Sequence, residues 1–142
     1  MGFIVVGVDG SAESKRALHW ALDEARLREV RVVVVHSWTY QFLAGPGYLP
    51  AADPEALGSI EREAEQVIDD ALAEFATGGL EIERKAVEGQ PSATLVEAAE
   101  GADLLVLGSR GRGGFSGLLL GSVSQQCAHH APCPVVIVPP TR

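Results

Sequence analysis

The sequence predicts an α/β protein built on an open parallel β-sheet with helices on both faces. Short apolar runs of strand length alternate with segments of helical periodicity, and such strands are expected to be joined by right-handed crossover connections. Four consecutive valines, Val32 to Val35, are typical of a strand buried on both faces of a parallel sheet. Because the chain has 142 residues, of which 46% are apolar, we expect a single domain over residues 1–142.

The amino-terminal part of the chain predicts a strand, a tight turn, a helix and a second strand. Phe3 to Val8 is a continuous apolar run, and the residues Asp9, Gly10 and Ser11 break it. Arg31 to Trp38 contains the four valines and is the second strand. The helix between them is marked by apolar residues at helical spacing, which are Ala17, Leu18, Ala21, Leu22 and Ala25.

A long loop, a long helix and a half-polar strand follow. Thr39 to Pro50 is rich in Gly, Pro and aromatic residues, and loops of this length are typical of lids or binding segments. Asp53 and Pro54 suit the start of a helix, which Gly78 and Gly79 end. The alternation of apolar and charged residues over Leu80 to Val87 predicts a third strand at an edge of the sheet.

The carboxyl-terminal part completes the alternation. The predicted elements are a short helix from Pro91 to Gly101, a buried strand Leu104–Leu107, a helix Ser122–His130 and a last strand Val135–Val138. In open sheets of this kind, ligands bind beyond the carboxyl ends of the strands, where the winding direction reverses. The segments of interest are therefore Gly7–Ser11, His36–Tyr40 and Gly108–Ser124.

The charge and the cysteine content restrict the partners and the location. Eleven Lys and Arg residues against nineteen Asp and Glu residues give a net charge of −8, which disfavours nucleic acid and anionic membrane surfaces. No segment has the pattern of a signal peptide or the length of a membrane span. The two cysteines, Cys127 and Cys133, fit no metal or redox spacing, so we expect a cytoplasmic protein.

The densest signal is a glycine-rich segment after the fourth strand, with five glycines in the ten residues Gly108 to Gly117. Such a segment can turn successive N–H groups toward one point and let an anion approach the main chain. Ser122 and Ser124 then open a helix whose first N–H groups favour negative charge. The segment predicts a phosphate cradle, with a flexible surface loop as the alternative.

Two common phosphate-binding motifs are excluded by inspection. Gly108 and Gly113 have the spacing of the P-loop glycines, but Gly114 stands where the P-loop lysine is required. The dinucleotide fingerprint GxGxxG is missing from the turn after the first strand, and in Gly111–Ser116 it fails at the last position. A P-loop nucleotidase and an NAD-dependent enzyme are therefore disfavoured.

The spacing of the glycines matches a different motif. Gly108, Gly111, Gly121 and Ser122 fit the pattern GxxG, nine residues, G(S/T), which resembles that of the ATP-binding universal stress proteins. The resemblance covers nearly the whole chain as one single-domain member. It extends to residues 7–11, to the valine strand ending at His36 and Ser37, and to residues 129–135.

The resemblance implies a Rossmann-like sheet of five strands in the order 3-2-1-4-5, with the ends of strands one and four side by side. It implies ATP or another adenine nucleotide as the ligand, with Mg²⁺ as the companion ion. The adenosine side is assigned to Gly7, Asp9 and Ser37. The ribose and phosphate side is assigned to the glycine-rich segment and the helix after it, namely Gly108, Ser109, Arg110, Gly111, Arg112, Gly113, Gly121, Ser122, Val123 and Ser124.

Asp9 has two interpretations. It can be a helix N-cap or turn residue, for which aspartate is common. At the carboxyl end of a strand it can instead bind the ligand, and because a carboxylate repels phosphates, it would accept from a ribose hydroxyl or hold a divalent cation.

No catalytic residue is assigned. His36 is the one candidate general base near the site, and a lone histidine there usually packs or forms a hydrogen bond. We expect an ATP-binding universal stress protein that acts as a nucleotide-responsive regulatory module, with an unidentified protein partner and at most slow ATP hydrolysis. Two alternatives stay open: a slow ATP hydrolase or adenylyl-transfer enzyme on the same fold, and a stress protein that binds no nucleotide.

The last strand predicts self-association. Val135 to Val138 lies at an edge in the implied order and carries no charge that would block pairing. Antiparallel pairing with the same strand of a second copy would close the edge under two-fold symmetry, and the resemblance points to the same homodimer. The alternative is that a loop or the carboxyl-terminal tail covers the edge.

Overall fold

Strands and helices alternate along the chain as the periodicity predicts. The computed structural model describes residues 2–39, 54–110 and 120–140. The strands are β1 (Phe3–Gly7), β2 (Arg31–Trp38), β3 (Ile82–Glu88), β4 (Leu104–Gly108) and β5 (Val135–Val138). The helices are α1 (Ala12–Arg28), α2 (Pro54–Ala73), α3 (Pro91–Ala98) and α4 (Ser122–His130).

All five strands are parallel and lie in the order β3-β2-β1-β4-β5, which confirms the predicted fold class. In the centre of the sheet, Val6 of β1 pairs with Val34 of β2 on one side and with Val106 of β4 on the other. The chain therefore reverses its winding direction between β1 and β4. The half-polar strand β3 and the apolar strand β5 lie at the two edges of the sheet, as the sequence analysis expects.

Three strands differ from the prediction by one or two residues at an end, and β3 differs at both ends. β1 ends at Gly7, although the N–H of Val8 still donates to the carbonyl of Val35 at 2.9 Å. β3 begins at Ile82 because the N–H of Leu80 donates to the carbonyl of Thr77 in the preceding turn. β4 extends to Gly108, so the first glycine of the motif is still part of the sheet.

The sheet is covered by two layers of helices. Leu18 of α1 and Ile68 of α2 pack on the face that contains Val6, and these three side chains have no exposed surface. On the opposite face, Leu95 of α3 packs with Val5, and α4 contributes to the same cluster. Burying each side chain of this size stabilises the folded state by about 1.5–3 kcal/mol. These contacts hold the helices on the sheet and so fix the positions of the strand ends.

Helix α1 has well-defined ends. Ser11 is the N-cap residue, and its hydroxyl accepts from the N–H of Ser14 at 3.1 Å. The helix ends at Glu29, which has a left-handed backbone with φ 57° and donates its N–H to Ala25. Among the helices of the described ranges, none combines the length and the apolar character needed to cross a membrane.

Candidate functional site

The turn between β1 and α1 is fixed by side-chain hydrogen bonds. The Oδ1 atom of Asp9 accepts from the N–H of Ser11 at 2.9 Å. The N–H of Asp9 donates to the hydroxyl of Ser14 at 3.2 Å, and this hydroxyl donates to the carbonyl of Ser11 at 3.0 Å. Asp9 is therefore a turn residue, and the turn holds its carboxylate at the carboxyl end of β1.

The two ends of the glycine-rich segment meet at the carbonyl of Ser109. This oxygen accepts from the N–H of Gly121 at 2.7 Å and from the hydroxyl of Ser124 at 2.8 Å. The same hydroxyl lies 3.3 Å from the carbonyl of Gly108. Gly121 is the N-cap residue of α4 and supplies no side chain to its first N–H groups. The start of α4 thus lies against the end of β4, where its N–H groups can attract an anion.

The side chain of Ser109 is itself unusual. The residue is 4% exposed, and its Oγ atom forms no hydrogen bond with any residue that the structure describes. Most buried hydroxyls have a partner, so each exception needs an explanation, such as a functional role.

Gly111, Arg112 and Gly113 of the predicted cradle lie outside the described residues.

Helix α1 contacts the end of β4 through Glu13. The Oε2 atom of Glu13 accepts from the N–H of Arg110 at 3.0 Å, and its Oε1 atom lies 3.2 Å from Nη2 of the same arginine. Both side chains are 22% exposed. A Cβ atom on Gly108 would lie 3.1 Å from the carbonyl carbon and oxygen of Glu13. The turn after β1 and the end of β4 therefore form one continuous surface.

Glu13 was not among the residues predicted from the sequence. An acidic residue in the first turn of a helix is usually explained by its interaction with the helix dipole. Its contact with Arg110 joins residues 97 positions apart, and no local pattern indicates such a contact.

Gly7 lies in a closely packed part of the sheet. A Cβ atom at this position would lie 3.0 Å from methyl groups of Leu95 and Leu107. A side chain at Gly7 would therefore require these two leucine side chains to shift by a few tenths of an ångström, so close packing favours glycine here without reference to a ligand.

His36 and Ser37 lie at the end of β2. The Nδ1 atom of His36 is 2.8 Å from the carbonyl of Val8, which is the hydrogen bond expected of a structural histidine. Ser37 pairs with Val87 of β3, on the side of β2 away from β1.

Two further predicted site residues lie at the start of α4, where Ser122 is exposed and Val123 is half-buried.

The described residues form no cluster of metal-binding side chains. In residues 2–39, 54–110 and 120–140, no group of three or more His, Cys, Asp or Glu side chains is placed to hold a metal ion. Asp9 and Glu13 are close in sequence, but the turn and Arg110 already engage them. A divalent cation bound by Asp9 or Glu13 would thus need ligands beyond these described side chains.

Comparisons with known proteins identify the family. The model of the universal stress protein family matches residues 2–139. Universal stress protein Rv2623 of Mycobacterium tuberculosis is 40% identical over 136 residues, which cover 94% of this chain and 44% of the relative. The chain therefore spans less than half the length of this curated relative.

Solved structures of the family have the same fold. One is a universal stress protein in complex with cAMP, which is 32% identical, with a TM-score of 0.64, over 96% of this chain and 95% of the other. Another is the universal stress protein from Archaeoglobus fulgidus in complex with dAMP, which is 28% identical, with a TM-score of 0.59, over 96% and 97% of the two chains. With the family model matching almost every residue, the chain belongs to the universal stress protein family.

Proposed function

We propose that this protein binds an adenine nucleotide at the carboxyl ends of β1 and β4 and acts as a nucleotide-responsive regulatory module in the stress response. The observation that carries the proposal is the pair of hydrogen bonds from Gly121 and Ser124 to the carbonyl of Ser109. They join the two halves of the glycine motif at the point where the sheet reverses its winding. The cAMP and dAMP complexes of relatives support an adenine ligand.

The proposed roles follow from the chemistry of each group. The main-chain N–H groups at the start of α4 and in the glycine-rich segment would bind phosphate. The protein as a whole has a net charge of −8 and repels anions, so these local donors would have to supply the attraction. Asp9, fixed by its turn, would accept from a ribose hydroxyl. The buried hydroxyl of Ser109 would gain a partner on ligand binding.

ATP, or another adenine nucleotide, would bind with Mg²⁺ as its companion ion. Mg²⁺ is commonly held by one or two carboxylates together with phosphate oxygens and water. As the alternative to its ribose contact, Asp9 would be the single protein carboxylate on the ion, and the nucleotide and water would supply the remaining ligands. Bound Mg²⁺ would neutralise phosphate charge.

We propose that hydrolysis is at most slow. His36, the one histidine considered as a base, donates through Nδ1 to the carbonyl of Val8, so only its Nε2 atom is left to act as a base. Phosphoryl transfer also needs an oriented nucleophile and positioned positive charge. A turnover above about 1 s⁻¹, which is ordinary for an enzyme, would support the hydrolase alternative. We further propose a cytoplasmic location and a homodimer formed through β5.

The test begins with protein purified without added nucleotide. The protein is denatured, and any released adenine compound is identified by mass spectrometry. The stripped protein is then titrated calorimetrically with adenosine, AMP, cAMP and ATP, the last with and without Mg²⁺. The proposal predicts that at least one of these adenine compounds binds, and binding of none would contradict it.

A matched pair of variants tests the site. Asp9→Asn keeps an oxygen that can accept from the N–H of Ser11 but removes the charge. We expect at least tenfold weaker nucleotide binding, about 1.4 kcal/mol, with an unchanged melting temperature. Asp23→Asn removes the same charge from an exposed position on α1 and should leave binding unchanged. Equal affinities for the two folded variants would refute the assignment of Asp9.

A further inference from the structure

Arg110 is the basic residue nearest to the end of β4 in the described part of the glycine-rich segment, and its main-chain N–H and one guanidinium nitrogen contact Glu13. The carboxylate of Glu13 spans the main-chain N–H and the guanidinium, with one oxygen 3.0 Å from N and the other 3.2 Å from Nη2. A phosphate group binds through the same two kinds of donor. Glu13 thus occupies the position that an anionic group of a ligand would take at this residue.

The local charge balance makes this contact important. In the described residues of the site, Asp9 and Glu13 each bring a negative charge, and Arg110 brings a positive charge. Glu13 compensates the charge of Arg110 directly. Both side chains are 22% exposed, so the surrounding protein reduces the screening by water. A highly charged ligand near Arg110 would therefore meet a carboxylate at close range.

The backbone keeps Glu13 at this position. A Cβ atom on Gly108 would be within 3.2 Å of three atoms of Glu13, so the first turn of α1 is packed directly on the end of β4. Ser11 and Ser14 fix the start of the helix through their mutual hydrogen bonds. The carboxylate can change its rotamer, but its Cα atom cannot withdraw from Arg110.

We infer that Glu13 is a specificity-determining residue, which acts as an internal anion and biases the site toward adenine ligands of low phosphate charge, such as AMP or a cyclic monophosphate, against ATP free of Mg²⁺. This inference rests on the proposed function. A ligand with one phosphate group can be held by the donors at the start of α4 without displacing Glu13. Additional phosphates extend the negative charge, and either they displace the carboxylate or they are repelled by it.

The test compares Glu13→Gln with a matched control, Glu24→Gln. The glutamine keeps an oxygen that can accept from Arg110 but carries no charge. Glu24 is on the same helix, its side chain is 20% exposed and it also pairs with an arginine, Arg28, at 3.6 Å. Each variant therefore loses one negative charge that pairs with an arginine. Only Glu13→Gln loses this charge at the proposed site.

Affinities are measured calorimetrically for adenosine, AMP, ADP and ATP without Mg²⁺. For Glu13→Gln we expect ATP to bind about tenfold more tightly than to the wild type, AMP to change by about twofold or less, and adenosine to be unaffected. For Glu24→Gln all four affinities should stay within about twofold of the wild type. The gain for ATP should decrease in high salt, because added ions screen the removed repulsion.

The outcomes separate the two proposals. If adenosine or AMP binds, but Glu13→Gln changes ATP binding no more than Glu24→Gln does, the inference is wrong and the proposed function stands. Weaker ATP binding by Glu13→Gln would also overturn it, because Glu13 would then position Arg110 for the ligand. If no adenine compound binds any of the three proteins, the proposed function fails, and the inference fails with it.

Discussion

Replacing Gly108 by alanine tests whether the close packing of α1 on β4 supports the site. The added Cβ atom would lie 3.1 Å from the carbonyl carbon and oxygen of Glu13 and 3.2 Å from its Cβ atom. These atoms belong to a helix whose buried face includes Leu18, which has no exposed surface. Because neither main chain can withdraw by a side-chain rotation, the helix or the strand must shift by a few tenths of an ångström.

The size of the effect follows from the contacts. Overpacking of this kind costs typically about 1–3 kcal/mol, and three contacts at the short end of the range point to about 2 kcal/mol. For a chain of this size that corresponds to a melting temperature lower by about 6 °C. The added Cβ atom and the shift also change the main chain at the carboxyl end of β4, where the proposed ligand would approach, so we expect nucleotide binding to weaken at least tenfold.

Thermal unfolding followed by circular dichroism and calorimetric titration measure the two effects. Gly78→Ala is the matched control, because a Cβ atom there has no neighbour within 4 Å. It should be neutral or stabilising by up to about 1 kcal/mol, since alanine restricts the unfolded chain. If Gly108→Ala melts within about 1 °C of the wild type and binds nucleotide equally well, the close approach does not support the site.

Two further predictions concern β5 and the cysteines. Val136 and Ile137 are half-buried on the edge strand, and replacing both by lysine should convert the proposed dimer to a monomer in sedimentation velocity, whereas a monomeric wild type would contradict the pairing. Burial raises the pKa of the Cys127 thiol from 9.0 to about 11, and burial together with the carboxylate of Asp103 raises the pKa of Cys133. Because the thiolate reacts, iodoacetamide at pH 8 should label the fully buried Cys127 much more slowly than Cys133, and equal rates in the folded protein would contradict this.

The limits of the sequence prediction are clearest at the strands. The apolar runs predict the buried strands almost to the residue, because both faces of the central sheet are covered and polar side chains are excluded from them. The bounds of α4 and β5 are confirmed as predicted. At the start of β3 the pattern fails, because Leu80 is apolar but its N–H is used in a turn. The order of the strands came from the family resemblance, since apolar patterns carry no information on which strands are neighbours.

For the candidate site, too, part of the arrangement can be predicted from the sequence and part cannot. The glycine spacing predicts that residues 108–110 and 120–124 belong together, and hydrogen bonds join them in the structure. The contact between Glu13 and Arg110 could not be predicted, because it depends on how α1 lies on the sheet. The assignment of Gly7 to the adenosine side stays a prediction, and the close approach of Leu95 and Leu107 is a packing reason for the glycine that needs no ligand.

The carbonyl of Ser109 has consequences for sequence variation in this protein. It accepts two hydrogen bonds, from Gly121 and Ser124, and so both of its lone pairs are engaged. The chain that leaves β4 and returns to α4 is thus tied at its base by contacts that do not depend on its length. Closing a longer loop costs little entropy, about 0.2 kcal/mol for two inserted residues in a segment of this size. An insertion between these two ties therefore costs little chain entropy and need not alter the hydrogen bonds at the base.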